Sequence, residues 1–173
     1  MNFYSGFSLR NEQYLFEGIV TLNKYTINGF SYGAISAIKE TLLRLENKER
    51  VDRLQLLSPA FFQTKEKKFK RLQLMSYKKN KELYMKQFIS SCFAPYNEKI
   101  VEHKETSVEE LEELLEYKYS LEDLKLIEES GVVIEVYLGG RDSIIDVNAA
   151  REFFLQVATV TYIKDANHFL QIQ

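Results

Sequence analysis

The chain has 173 residues, a length that suits one domain with a substantial core, since 45% of the residues are apolar and 13% aromatic. A formal net charge of −2 excludes a globally basic nucleic-acid binder, and the single cysteine, Cys92, excludes an intramolecular disulfide and a cysteine-rich zinc site. No apolar run approaches the ~20 residues of a membrane span, and Met1 to Gly6 has neither a basic start nor a long apolar region. The expectation is a cytoplasmic monomer, away from membranes and nucleic acid.

In chain order, Met1 to Tyr4 reads as a short first strand that ends at Ser5-Gly6-Phe7. Tyr14, Leu15, Ile19 and Leu22 recur at helical spacing and predict a helix over 11–22. Tyr25-Thr26-Ile27 are strand formers that run into Gly29-Phe30-Ser31-Tyr32-Gly33, a G-x-S-x-G turn. Ile35, Ile38, Leu42 and Leu45 then predict a helix from Gly33 to Leu45. Arg53-Leu54-Gln55-Leu56-Leu57 reads as a strand closed by Ser58-Pro59. Strand–helix alternation of this kind predicts an α/β fold with a mostly parallel sheet.

The pattern then breaks. Between Phe61 and Ile89 nine basic residues stand against two acidic ones, a net +7, with Phe69, Leu72, Leu83, Met85 and Phe88 marking amphipathic helices. Glu98 to Glu129 reverses sign to −8, and Thr106 with Glu109 offers a capping box for a helix there. The organisation expected is one domain over 1–173, its core at about 1–60 and 130–173, with a helical lid at about 61–129. The plain explanation of both charge runs is solvated helix faces that attract each other. Val132 to Leu138 is the clearest strand, apolar enough to be buried on both faces. It ends in Gly139-Gly140-Arg141-Asp142. A helix over 147–157 follows with Asp146 as N-cap, and a last strand over 158–163 runs into Asn167-His168-Phe169.

A serine hydroxyl is a weak nucleophile that needs an adjacent base, and the base needs an orienting acid. Ser31 sits where a strand ends and a helix begins, in the setting of a nucleophile elbow. Of the two histidines, His103 lies in the acidic run without special context, and His168 follows the last strand. Asp142 follows the preceding strand. In a parallel sheet all three project from the carboxyl edge, and Ser31, Asp142, His168 is the chain order of the α/β-hydrolases. Asp146 and Asp165 compete for the acid. Asp142 is preferred because the Gly-Gly turn places it directly beyond the strand and Asp146 already has a use as a cap. Cys92, in an apolar helical stretch, reads as a buried structural thiol. The oxyanion hole needs two backbone donors, for which Tyr32 and Phe7 are the choice, with Gly6 as the alternative to Phe7.

Taken together, Ser-Gly-Phe near the start, Gly-Phe-Ser-Tyr-Gly-Ala, Gly-Gly-Arg-Asp and Asn-His-Phe resemble the BioV-type pimeloyl-acyl-carrier-protein methyl ester esterases of biotin synthesis, which are small α/β-hydrolases. The resemblance covers the whole chain in length and order. It implies a triad of Ser31, Asp142 and His168, an acyl-carrier protein bearing a pimeloyl methyl ester as substrate, and no metal or cofactor. Ser5-Gly6 stands where hydrolases often carry His-Gly, which is tolerable because the donors are backbone groups. An acidic carrier protein would be steered by the basic run, with Lys67, Lys68, Lys70 and Arg71 as the docking residues, and Phe61, Phe62 and Phe69 are candidates to line an acyl channel. A small-ester carboxylesterase, an acyl thioesterase and a non-catalytic binder of an acidic partner are the competing readings.

Overall fold

A computed structural model describes residues 2–173. Its centre is a sheet of five parallel strands: β1 (Phe3–Tyr4), β3 (Thr26–Phe30), β4 (Arg53–Leu57), β6 (Val133–Gly139) and β7 (Thr159–Ile163), side by side in that order. A two-stranded antiparallel ribbon stands apart, formed by β2 (Leu9–Arg10) and β5 (Glu102–His103) with Leu9 opposite His103. The expected first strand is present from Phe3, and Met1 lies outside the described residues. The register sets Phe30 beside Leu57 and Leu57 beside Tyr137, so β3 and β4 finish level while β6 runs on to Gly139.

Strand alternation divides the apolar residues between two faces. Ile27, Leu54, Leu56, Ile134, Val136 and Leu138 enter the larger core with α1 (Gly33–Glu46) and the helices α4 (Val108–Glu116), α5 (Leu121–Glu129) and α6 (Val147–Phe154). Phe30 and Leu57 enter a smaller core on the other side, with Leu15, Phe16, Phe93 and Phe169. That side has thinner cover than the sequence suggests. The helix expected over 11–22 is only a 3-10 helix, Glu12–Phe16, because the chain turns extended at Glu17 and left-handed at Gly18, with φ +88°. The segment beyond it still lies on the sheet: Thr21 N–H donates to Gln55 Oε1 at 2.7 Å, and Gln55 Nε2 donates to the Ile19 carbonyl at 3.2 Å. In consequence β6 is not buried on both faces. Ile134, Val136 and Leu138 are buried, while Val133 is exposed and Glu135 and Tyr137 are half-covered.

Four helices fill the interval between β4 and β6: α2 (Lys67–Lys79), α3 (Lys81–Phe93), α4 and α5. Helix α4 starts one residue later than the expected capping box. Ser107 is its N-cap, accepting from Glu110 N–H at 3.2 Å, while Glu110 accepts from Ser107 N–H at 2.8 Å. Thr106 is instead a buried acceptor for Tyr77, whose hydroxyl donates to the Thr106 carbonyl at 2.8 Å. The oppositely charged helices do meet: Lys70 of α2 pairs with Glu116 of α4 at 3.4 Å. Asp146 caps α6 as expected, accepting from Ala149 N–H at 3.2 Å.

Candidate active site

The turn after β3 makes the serine what it is. Ser31 has φ +51°, in the left-handed region that side chains other than glycine rarely adopt. The surroundings over-determine it: its N–H donates to the Leu57 carbonyl at 2.9 Å, and its carbonyl accepts from the Ala34 and Ala60 N–H groups, each at 3.1 Å. The flanking glycines are required by close approach. A Cβ on Gly33 would stand 2.0 Å from the Tyr4 carbonyl oxygen, and one on Gly29 2.6 Å from the Gly33 carbonyl oxygen. Helix α1 therefore packs its first turn directly on the end of β1, which brings Ser5-Gly6-Phe7 beside the serine.

The three residues picked out along the chain converge. Ser31 Oγ lies 2.9 Å from His168 Nε2, and His168 Nδ1 lies 2.6 Å from Asp142 Oδ2. A carboxylate only accepts, so Nδ1–H donates to Asp142 and Nε2 is left to accept from the serine hydroxyl. Asp142 is itself held, its Oδ1 accepting from Ile144 N–H at 2.7 Å. The set is almost sealed: Ser31 is 4% exposed, His168 1% and the Asp142 side chain 0%. The rival acids are employed elsewhere. Asp146 accepts from Thr64 Oγ1 besides capping α6, and Asp165 makes an exposed pair with Arg141 at 3.5 Å. His103 is exposed on β5. Cys92 is fully buried, and burial together with the nearby Asp142 charge pushes its thiol well above the ordinary range, which suits an inert packing group.

Gly139 fixes the distance between acid and base. A Cβ there would lie 2.4 Å from both the Ala166 and Asn167 carbonyl oxygens. Without one, the loop after β6 lies flush on the loop after β7, and Arg141 N–H donates to the Ala166 carbonyl at 2.8 Å. Asn167, met in the sequence only as part of Asn-His-Phe, anchors the loop that carries His168. It is buried, its Nδ2 donates to the Phe93 carbonyl at 2.7 Å, and its Oδ1 accepts from Gln171 N–H at 3.0 Å.

The Gly6 N–H is already occupied, donating to Glu12 Oε1 at 2.7 Å. Among the described residues, the Phe7 and Tyr32 N–H groups donate to no protein acceptor. The Phe7 and Tyr32 rings meet edge to face at 6.0 Å, so the two residues are neighbours. The Tyr32 hydroxyl has a second use: it donates to Glu113 Oε2 of α4 at 2.7 Å, while Lys39 of α1 reaches Glu113 Oε1 at 3.0 Å. Those two donors, Tyr32 first, hold the Glu113 carboxyl below its ordinary range.

A cavity of about 310 Å³ opens among α2, α3, α4 and the loop after Asp142, a size found among small-molecule sites. Phe62, Phe69, Phe88 and Leu115 form apolar walls, and Gln73 and Ser143 stand among its polar groups; no charged side chain lines it. The Tyr84 hydroxyl on its wall is pushed up to about 12 by burial and donates to Gln73 Oε1 at 2.9 Å. Phe61, an expected channel residue, is absent from this lining because it is packed inside the core against Tyr119 and Phe154. Of the four expected docking residues, Lys67, Lys68 and Arg71 are exposed and, among the described residues, make no ion pair. Lys70 corrects the expectation: it turns inward, with a side chain 8% exposed, to meet Glu116. The period of α2 puts it one position off the solvent face. Among the described residues no group of three His, Cys, Asp or Glu side chains is arranged to hold a metal ion, and no helix is long and apolar enough to cross a membrane.

No protein-family model and no curated protein sequence matches the chain. Solved structures do. Carboxylesterase CesB from Bacillus subtilis superposes with a TM-score of 0.56 at 15% identity, over 91% of this chain and 57% of that one. Naproxen esterase from Bacillus subtilis superposes with a TM-score of 0.55 at 19% identity, over 97% of this chain and 63% of that one. The chain thus spans less than two thirds of the length of either. With a parallel sheet, an elbow after β3 and helices on both sides, the chain has the α/β-hydrolase fold.

Proposed function

We propose that the protein is a serine ester hydrolase acting by an acyl-enzyme mechanism. The observation that carries this is the continuous contact Ser31 Oγ to His168 Nε2 and His168 Nδ1 to Asp142, built on an elbow flanked by two uncommitted N–H groups. Ser31 Oγ attacks the ester carbonyl carbon while its proton passes to His168 Nε2. The carbonyl electron pair moves onto oxygen and is met by the Phe7 and Tyr32 N–H groups. As the tetrahedral adduct collapses, the bond to the alcohol oxygen breaks and His168 returns the proton to the leaving alcohol. Water then attacks the acyl-enzyme with His168 again as base, the adduct collapses as His168 returns that proton to Ser31 Oγ, and the acid departs, losing its remaining proton to solvent as the carboxylate. Asp142 holds the imidazole in the required tautomer and stabilises its cation.

The substrate we favour is the methyl ester of pimeloyl-acyl-carrier protein, with methanol as the leaving alcohol. The resemblance of the elbow and loop motifs supports it. So does the chemistry of the cavity, whose uncharged lining suits a neutral ester-terminated chain better than a carboxylate, because an unpaired charge is costly to bury. Lys67, Lys68 and Arg71 offer exposed positive charge on α2 to an acidic carrier.

The test is conversion of pimeloyl-acyl-carrier-protein methyl ester to the free acid, with Ser31→Ala beside the wild type. Conversion that vanishes in the variant is the expected result. Cleavage of short free esters without the carrier-bound one would leave a general carboxylesterase, and turnover of neither would favour a non-catalytic binder.

A further inference from the structure

Glu12 is a carboxyl with no place in the reaction just described and no exposure to solvent, at 0%. It opens the 3-10 helix behind the loop Ser5-Gly6-Phe7. Its Oε1 accepts from the Gly6 N–H at 2.7 Å, and among the described residues its Oε2 has no hydrogen-bond partner. Burying a carboxyl with one oxygen orphaned is unfavourable by kilocalories rather than tenths, so the group calls for an explanation. Burial pushes it above the ordinary carboxyl range, against the opposing pull of the Gly6 N–H, its own N–H, the Ser5 hydroxyl and the Lys104 charge.

Everything else about that loop is fixed as well. Leu9 N–H donates to the Gly6 carbonyl at 3.1 Å. Ser8, left-handed at φ +61°, donates through Oγ to the Lys104 carbonyl at 2.8 Å and accepts from Lys104 N–H at 3.1 Å. The Phe30 ring occupies the space where a Gly6 Cβ would fall, at 2.9 Å. Two consecutive N–H groups, of Gly6 and Phe7, belong to this loop, and among the described residues only that of Gly6 has a protein acceptor.

The structure assigns to Glu12 the choice between them: it is a positioning residue that captures the Gly6 N–H and so fixes the Phe7 N–H as the oxyanion donor that works with Tyr32. The assignment rests on the serine-hydrolase reading and extends it to a residue that touches neither substrate nor triad. Glu12 acts as a hydrogen-bond acceptor, so a glutamine, whose Oε1 accepts equally, should replace it, and methionine or alanine should not.

The first test needs no substrate. In the wild-type protein, a fluorophosphonate adduct on Ser31 places an oxyanion mimic in the hole. The Phe7 and Tyr32 amide resonances should move on adduct formation and that of Gly6 should stay. Movement of Gly6 with Phe7 unmoved would overturn the assignment while leaving the hydrolase reading intact. A protein whose Ser31 does not label at all would overturn both. The second test uses Glu12→Gln, Glu12→Met and Glu12→Ala, each checked for a folded melt. Misplacing one oxyanion donor should lower the labelling rate and kcat by ~10²-fold in the Met and Ala proteins. KM should hold, and Glu12→Gln should stay within about threefold of wild type. A folded Glu12→Met protein with wild-type kcat would refute the assignment.

Discussion

Gly139→Ala isolates the distance between acid and base. The added methyl would stand 2.4 Å from two backbone carbonyl oxygens, of Ala166 and Asn167, and 2.9 Å from the Ala166 carbonyl carbon. Ordinary contact begins near 3.4 Å, so the two loops must part by about 1 Å, and neither obstacle is a side chain that can swing aside. The His168 Nδ1 to Asp142 Oδ2 bond is 2.6 Å long. Adding that 1 Å takes it beyond hydrogen-bond range. Overpacking of this kind costs about 1–3 kcal/mol, or roughly 2–10 °C in Tm for a chain of this size. Misplacement by 1 Å at a reacting group costs ~10²-fold in rate. The assay is kcat on the ester substrate together with a thermal melt, with Gly131→Ala as control, since a Cβ there meets nothing within 4 Å and only φ +88° opposes it. The control should lose stability and keep kcat. Gly139→Ala with wild-type kcat would show that the loop contact does not set the geometry of the base.

Three more outcomes are expected. Charge reversal at Lys67, Lys68 and Arg71 should raise KM for a carrier-bound ester at low salt and leave Tm within about 1–2 °C, whereas Lys70→Glu should lower Tm and melt early, since it sets two carboxylates together at a nearly buried position; equal effects at all four positions would contradict the orientation of α2. Because burial raises Glu12 in the folded state, the unfolded chain gives up that proton more readily, and stability from this group falls as pH rises through the carboxylate range. Glu12→Gln removes that penalty, so its Tm should gain on wild type as pH rises through and above the ordinary carboxylate range; a gap that widens on acidification would reverse the sign of the effect. Cys92, buried with a raised thiol, should resist iodoacetamide in the native protein at pH 8 and react on unfolding; rapid native alkylation would mean that the end of α3 opens.

What the sequence made legible was what local chemistry dictates. The elbow shows because a left-handed serine between closely packed turns admits only glycine at Gly29 and Gly33. The strand Arg53–Leu57 shows to the residue because Ser58-Pro59 stops it. The acid is legible at Asp142 because Gly139-Gly140 precede it and because Asp146 shows as a cap. What stayed hidden depends on contacts that no local pattern marks. Asn167 takes its meaning from Phe93, a carbonyl 74 residues away, and Glu12 from a single backbone N–H, that of Gly6. The ribbon of β2 and β5 joins two dipeptides too short to register as strands. The apolar spacing of Tyr14, Leu15 and Ile19 implied a full helix, but it continues past Gly18, where the backbone turns away. Lys70 shares its charge with its neighbours and differs from them only in which way the helix faces.

The tie from Tyr32 through Glu113 to Lys39 joins the residue after the nucleophile to the helical insertion, and Asn167 joins the base to the end of α3 in the same way. The helices between β4 and β6 and the Ser31–His168–Asp142 frame thus share parts, which limits how such a fold can be re-engineered. Grafting a helical segment from another protein of this fold between Leu57 and Val133 would remove the acceptor of the Tyr32 hydroxyl and the carbonyl that seats Asn167 at once. A chimera of that kind would need both replaced before its new pocket could be judged, and a cap built with an equivalent glutamate and an equivalent helix end would be the smallest exchangeable unit.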